Sequence, residues 1–324
     1  MKFLVIQTAF IGDVILATAV LEKLHTHYPG AQIDLLIRNG SESLFSGHPF
    51  LHELLVLDKR KGKYKEIQRL IKKVRETKYF QVINLHRFAS SGLITAFSGA
   101  QRRVGFDKNP FSFSYTKKLK HVIGDGTHET ERNQKLIAEL TDTVPARPRL
   151  YPSEKDIAAA KGSQPAGKYI CIAPASVWYT KQLPKEKWNE LIASLDPALS
   201  ILLLGAPGDA ALCENIAKEN PGRKIQNLAG KLSLLGSAEL MRDAEMNYVN
   251  DSAPLHLATA VNAPVTAFFC STVPAFGFGP LSDNTVIAEV KLECRPCGLH
   301  GHRSCPKGHF HCALKMEMKN YAVR

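Results

Sequence analysis

Asp13 follows Gly12 in the opening stretch MKFLVIQTAFIGDVILATAV, where an apolar run, Phe3 to Ile6, gives way within a few residues to an apolar helical pattern. A dinucleotide-binding protein places a glycine-rich phosphate loop at this point, and a carboxylate is unwelcome beside phosphate. Two roles suit an Asp here. It can be an N-cap, accepting a backbone N–H of the first turn, or a general base kept ionised by the helix N-terminus, with Gly12 allowing another molecule close to the backbone. A second group, NDSAPLHLATA (250–260), runs a strand into a helix with Pro254 in its first turn. The free N–H groups of such a helix end suit a diphosphate. Ser252 adds a hydroxyl, His256 lies one turn in, and Asp251 can cap the turn or accept from a sugar or ribose hydroxyl. The plainer alternative is a capped structural helix with a buried histidine. A third stretch, APASVWYTKQLPKEKW (173–188), carries Ser176, Thr180 and Lys181 after a strand. Lys181 can neutralise phosphate charge or simply face solvent. In the fourth, LLLGAPGDAAL (202–212), Asp209 can reach a ribose hydroxyl or cap the next helix.

These residues need strands that end where they begin. Short apolar runs predict strands over 3–7, 32–38, 53–57, 81–85 and 102–106, then 168–174, 200–205, 224–229, 246–251, 264–269 and 284–288. Helical patterns fall over 13–28, 63–77 and 128–141, then 184–194, 208–219, 233–244 and 254–262. Strands alternating with helices of this length predict parallel sheets with right-handed crossovers. The stretch 144–168, rich in proline and carrying two glycines, reads as an interdomain connection. Two doubly wound domains, 1–150 and 151–324, follow, with ligands at the C-terminal strand ends facing a cleft.

The chain of 324 residues carries a net charge of +12. Residues 1–150 hold 24 Lys and Arg against 14 Asp and Glu; residues 151–324 hold 18 against 16. The basic first half predicts an anionic partner: nucleic acid, a phosphorylated substrate or an anionic membrane surface. The segment 57–78 alone reads as a solvated lysine-rich helix. No apolar run reaches the ~20 residues that span a bilayer, and the N-terminus lacks a signal-peptide layout, so a cytoplasmic location is expected.

The four motifs, together with HYPGAQIDLLI, a Lys-x-x-Pro loop and NLAGKLSLLGSAELM, resemble the family 9 glycosyltransferases, the heptosyltransferases of lipopolysaccharide core assembly. The resemblance extends over essentially the whole chain. It implies an α/β fold of the GT-B type, two Rossmann-like doubly wound domains, and an inverting transfer that needs no catalytic metal. The N-terminal domain would hold the acceptor and the C-terminal domain the nucleotide sugar, typically ADP-heptose. Asp13 matches the family's proposed base and Lys181 the lysine on the donor phosphates. Asp251, Ser252, Ala253 and His256 match the pyrophosphate and sugar loop, Ala253 standing where glycine is usual, and Asp209 falls near the carboxylate that touches the nucleoside. Ser176 and Thr180 share the Lys181 loop. An acceptor lipid bearing phosphates and acidic Kdo sugars would suit Gly12, Lys59, Arg60, Lys61, Lys63, Arg87, Arg102 and Arg103. Such a protein would act peripherally at the inner face of the cytoplasmic membrane, without nucleic acid.

The tail CRPCGLHGHRSCPKGHFHC brings Cys294, Cys297, Cys305 and Cys312 among four histidines. This spacing suits a structural zinc site; the alternative is a set of reduced thiols in an irregular basic loop. Cys171, Cys213 and Cys270 read as small core residues. A nucleic-acid-binding protein would interleave aromatics with its basic run, and 57–78 offers only Tyr64, with Tyr79 just beyond. A nicotinamide-dependent oxidoreductase would carry G-x-G-x-x-G after the first strand, and the sequence does not.

Overall fold

Strands buried on both faces are written as unbroken apolar runs rather than alternating ones, and the runs of this sequence fold accordingly. The computed structural model describes residues 1–323. The chain divides into two compact units, Met1–Tyr151 and Pro152–Arg324.

The first unit contains β1 (Lys2–Gln7), α1 (Ile11–His27), β2 (Gln32–Arg38), β3 (Leu51–Leu57), α2 (Lys63–Thr77), β4 (Gln81–Asn84), α3 (Ala89–Ala96), β5 (Arg102–Phe106), β6 (Lys117–Leu119) and α4 (Glu129–Lys135). Its six strands form one parallel sheet in the order β3-β2-β1-β4-β5-β6. Phe3 to Ile6 of β1 are fully buried at its centre. Helix α2 buries Ile67, Leu70 and Val74 and turns its lysines outward, which is the solvated basic face expected of 57–78.

The second unit contains α5 (Glu154–Ser163), β7 (Tyr169–Ala173), α6 (Lys185–Ser194), β8 (Ser200–Leu203), α7 (Ala210–Glu219), β9 (Ile225–Asn227), α8 (Leu234–Arg242), β10 (Asn247–Asn250), α9 (Ala253–Ala260), β11 (Val265–Phe269), β12 (Thr285–Glu289) and α10 (His311–Leu314). Its sheet runs β12-β11-β10-β7-β8-β9, also wholly parallel. Read from the other edge, it repeats the order of the first sheet. Both are the 3-2-1-4-5-6 arrangement of a doubly wound fold.

Each sheet reverses its winding once, between β1 and β4 in the first unit and between β7 and β10 in the second. The carboxyl ends of those strands are where such sheets bind ligands. They lead into residues 8–13 and 85–87 in one unit, and into 174–181 and 251–252 in the other.

Several elements depart from the sequence expectation. The stretch 144–168, read as connection, contains α5, begun by Ser153, whose hydroxyl accepts the Asp156 N–H while the Asp156 carboxylate accepts the Ser153 N–H. The local Ser-Glu-Lys-Asp capping signal outweighs the surrounding prolines. The short α3 and β6 were not expected. The helix anticipated over 128–141 ends at Lys135 and continues as tight turns, with Leu136, Ile137 and Leu140 each donating to the residue three back.

Candidate active site

In the second unit the switch point is tied together by a side chain that the sequence reading passed over. Asn250 ends β10 fully buried. Its amide donates to the Pro174 carbonyl at 2.9 Å and its carbonyl accepts the Leu183 N–H at 3.0 Å, joining the loop after β7 to the strand beside it. An Asn closing an apolar strand was the available signal. On that loop, Lys181 closes a single 3-10 turn, Tyr179–Lys181. Its ammonium pairs with Asp251 at 2.7 Å, with the two side chains only 18% and 7% exposed. The Thr272 hydroxyl donates to the same Asp251 oxygen at 2.6 Å. Asp251 therefore serves Lys181 and Thr272 rather than capping α9. In this nearly dry setting the pair is stronger than it would be in water.

Helix α9 starts at Ala253 with Ser252 as N-cap, and the Ser252 side chain makes no capping bond to it. The Ser252 hydroxyl leans to the Asn250 carbonyl at 3.4 Å. The first turn thus presents its positive end beside Lys181 and Asp251, an arrangement that attracts anions. His256 is buried in this helix, with its ring edge-on to Phe278. Ser176 is half-buried, and its N–H donates to the Gln182 side chain at 2.9 Å. Thr180 is wholly buried. Asp209 accepts the Ala206 N–H at 2.7 Å, so its carboxylate closes its own turn ahead of α7.

In the first unit Asp13 is the third residue of α1, not its N-cap; Phe10, in extended conformation, holds that place and makes no side-chain bond. The capping alternative for Asp13 is thereby corrected. Asp13 stands in the first turn, where the helix dipole favours its charge, and Gly12 precedes it half-buried. Asp13 also acts on Glu129, which opens α4. Glu129 and Arg132 are buried together, with Nε–Oε2 at 2.8 Å. Burial pushes the Glu129 carboxyl up to about 7; Arg132 opposes this and the Asp13 charge adds to it.

The basic residues expected around an acceptor fall into two groups. Lys59, Arg60 and Lys61 form a 3-10 turn just beyond β3, at the same sheet edge as Asp13, and Lys63 opens α2 beside it. Arg60 is held by a two-point bond to Asp58, at 2.9 and 3.0 Å. Partial burial lowers the Lys59 pKa, with Lys63 and Arg38 adding to the effect. Arg87 follows β4 at this edge. Arg38, which ends β2 and lies over the exposed Phe10 ring at 5.0 Å, joins them and was not anticipated. His86 also belongs here, bonded through Nδ1 to the Thr8 hydroxyl at 2.7 Å across the switch point. Burial drives its pKa down to about 4, helped by Lys59, Arg87 and Arg38, so the ring is neutral at pH 7. Arg102 and Arg103 begin β5 and lie at the opposite end of the sheet. Arg102 pairs with Glu139 at 2.7 Å, and Arg103 donates to the Ala100 and Ser114 carbonyls. The structure does not bring them to Asp13.

Zinc at Cys294, Cys297, Cys305 and Cys312 is an expectation of the spacing and is not shown, although Cys294, Cys297 and Cys305 lie near Cys312. Among the described residues no group of three or more His, Cys, Asp or Glu side chains is gathered to hold a metal ion. Cys312 packs in the core of the second unit, and the Cys297 N–H is committed to the Ser271 carbonyl at 3.0 Å. Burial raises the Cys312 thiol to about 11, with Cys297, Cys305 and Cys294 contributing and Arg295 opposing. Packing and backbone bonds tie this tail to the second unit.

The glycosyltransferase family 9 (heptosyltransferase) model matches residues 67–308, a span that begins after Asp13. Lipopolysaccharide heptosyltransferase 1 of Pseudomonas aeruginosa is 24% identical over 92% of this chain and 86% of its own length. Lipopolysaccharide heptosyltransferase 3 of Escherichia coli K12 is 28% identical over 85% and 84%. The structure of the E. coli ADP-heptose lipopolysaccharide heptosyltransferase II aligns with a TM-score of 0.78 at 22% identity, covering 99% of this chain and 100% of that one, which gives the fold as GT-B. With the family model spanning well over half of the sequence, the chain belongs to glycosyltransferase family 9, the heptosyltransferases, and is a glycosyltransferase.

Proposed function

We propose that the protein transfers a heptose from ADP-heptose to the inner core of lipopolysaccharide, an acceptor built of Kdo or heptose on lipid A. The observation that carries this is the Lys181–Asp251 pair beside the open first turn of α9, at the switch point of the second sheet. As the bond from the anomeric carbon to the diphosphate oxygen breaks, negative charge grows on ADP. Lys181 and the helix end stand ready for it. An acceptor hydroxyl oxygen forms the new bond to the anomeric carbon from the opposite face, and its proton passes to Asp13. One base suffices because inversion has no covalent intermediate.

Arg38, Lys59, Lys61, Lys63 and Arg87, gathered at the Asp13 edge of the first sheet, suit the phosphates and carboxylates of that acceptor. The same charge supports peripheral attachment to an anionic membrane surface. No helix among the described residues is long and apolar enough to cross a membrane.

The test is a binding screen of ADP-, UDP- and GDP-sugars with the purified protein, paired with Asp13→Asn. ADP-heptose should bind best. The Asn variant should lose transfer while binding the donor nearly as well as the parent, since Asp13 lies in the other unit. Normal turnover by the variant would remove Asp13 from the chemistry.

A further inference from the structure

The Cys/His-rich tail makes an unusual set of bonds with the loop that carries Lys181. The Thr180 N–H donates to the His302 carbonyl at 3.1 Å, and the His302 N–H donates to the Thr180 hydroxyl oxygen at 2.8 Å. Residues 122 apart in sequence thus close a reciprocal pair. Ser271 completes the junction: its N–H donates to the Thr180 carbonyl at 3.2 Å, its hydroxyl lies 3.0 Å from that of Thr180, and its carbonyl accepts the Cys297 N–H at 3.0 Å. Thr180 and Ser271 are both about 1% exposed, so these bonds are protected from water.

Between Cys297 and His302 the chain presses directly on the Lys181 loop at Gly301. A Cβ there would stand 2.3 Å from the Trp178 Cβ and 2.9 Å from the Lys181 Cγ. Only a residue without a side chain lets the tail lie against the stem of Lys181. The far end of that stem is fixed by Asp251, itself held by Thr272, one residue beyond Ser271. The lysine is therefore gripped at both ends, by the tail along its carbons and by a carboxylate at its ammonium.

We propose that residues 297–302 are a positioning element for the donor site: Gly301 and His302 clamp the Thr180 loop so that Lys181 is presented ready-made to the donor diphosphate. This rests on the reading that Lys181 faces that diphosphate. The tail, on this view, acts on donor affinity and leaves the acceptor half untouched. Holding the lysine in place beforehand spares the ordering that binding would otherwise require.

The experiment is a double-mutant cycle on the full-length protein, read by calorimetric titration with ADP. Lys181→Ala should weaken ADP binding; if it does not, the donor reading of Lys181 fails, and the clamp with it. Given that loss, Gly301→Ala should raise the ADP dissociation constant at least about tenfold, yet add little in the Lys181→Ala background. Non-additivity of that kind means the two residues act through one another. Thr180→Val removes the oxygen that accepts the His302 N–H and keeps the volume; it should produce a smaller loss of the same non-additive kind, and it decides the matter if Gly301→Ala does not fold. In steady state the donor KM should rise with the acceptor KM unchanged. Additive losses, or unchanged ADP affinity in the folded variants while Lys181→Ala still loses it, would overturn the clamp alone.

Discussion

At Gly230 the backbone passes through φ +74°, and its N–H donates to the Gly205 carbonyl at 2.9 Å. A Cβ there would lie 2.8 Å from the Pro207 Cα, a backbone atom with no room to yield. The glycine of NLAGKL thus has a conformational reason and a steric one, both structural. Gly230→Ala should destabilise the second unit by about 1–3 kcal/mol, measured by denaturant unfolding; an unchanged midpoint would mean that the loop after β8 shifts freely. For other carboxylates the fold fixes the local partners. Asp209 spends its carboxylate on its own turn, and Asp251 spends one oxygen on both Lys181 and Thr272.

Among the elements, α5 shows how a ten-residue helix survives in a proline-bordered stretch. Its capping box supplies the first turn, and Asp156 reaches on to the Ser233 hydroxyl at 2.5 Å, so the helix is fastened to the start of α8. Ser233 in turn accepts the Gly236 N–H at 2.9 Å and caps α8. One Ser–Asp–Ser chain therefore begins two helices. Ser153→Ala should lower stability by about 1 kcal/mol, the usual value of an N-cap, and thermal unfolding monitored by circular dichroism will show it. A variant as stable as the parent would mean that packing on α8 alone holds α5. The elements that frame the candidate site are held more firmly, since β1, β4, β7 and β10 are each paired on both sides.

For the molecule as a whole, the two units differ in their response to acid. Burial, aided by positive neighbours, brings His48, His86 and His121 each down to about 4, and all three lie in the first unit. In an unfolded chain a histidine titrates near ~6.5. Between roughly pH 6.5 and 4 the unfolded chain therefore binds more protons, and stability falls as the pH falls. Glu129, pushed up to about 7, and Glu22, also raised by burial, work the other way and gain stability as they protonate. Three histidines outweigh them. Scanning calorimetry at pH 7 and pH 5 should show the transition of the first unit moving to lower temperature by more than that of the second. A first-unit transition that stays in place or rises at pH 5 would show that the carboxyls dominate.

The strand order, and with it the switch points, came from the structure. The sequence alone determined every strand but β6 and their parallel arrangement, because a strand buried on both faces is written as a near-continuous apolar run. For the same reason Asp13, Lys181 and Asp251 were legible as residues at strand ends. The family resemblance, carried by motifs, supplied the reaction that periodicity could not. Partners distant in sequence lay beyond that reach. Arg102 and Arg103 count as basic residues in any composition, yet only the direction of β5 puts them at the far end of the sheet, while Arg38 and His86 come to the Asp13 edge unannounced. The cysteine spacing matches a metal site, but it gave no sign that the Cys312 thiol packs into the core or that the intervening backbone holds the Lys181 loop. Spacing along a chain limits which side chains can meet; bonds between residues more than a hundred positions apart depend on how the layers pack, and the tertiary structure alone decided those.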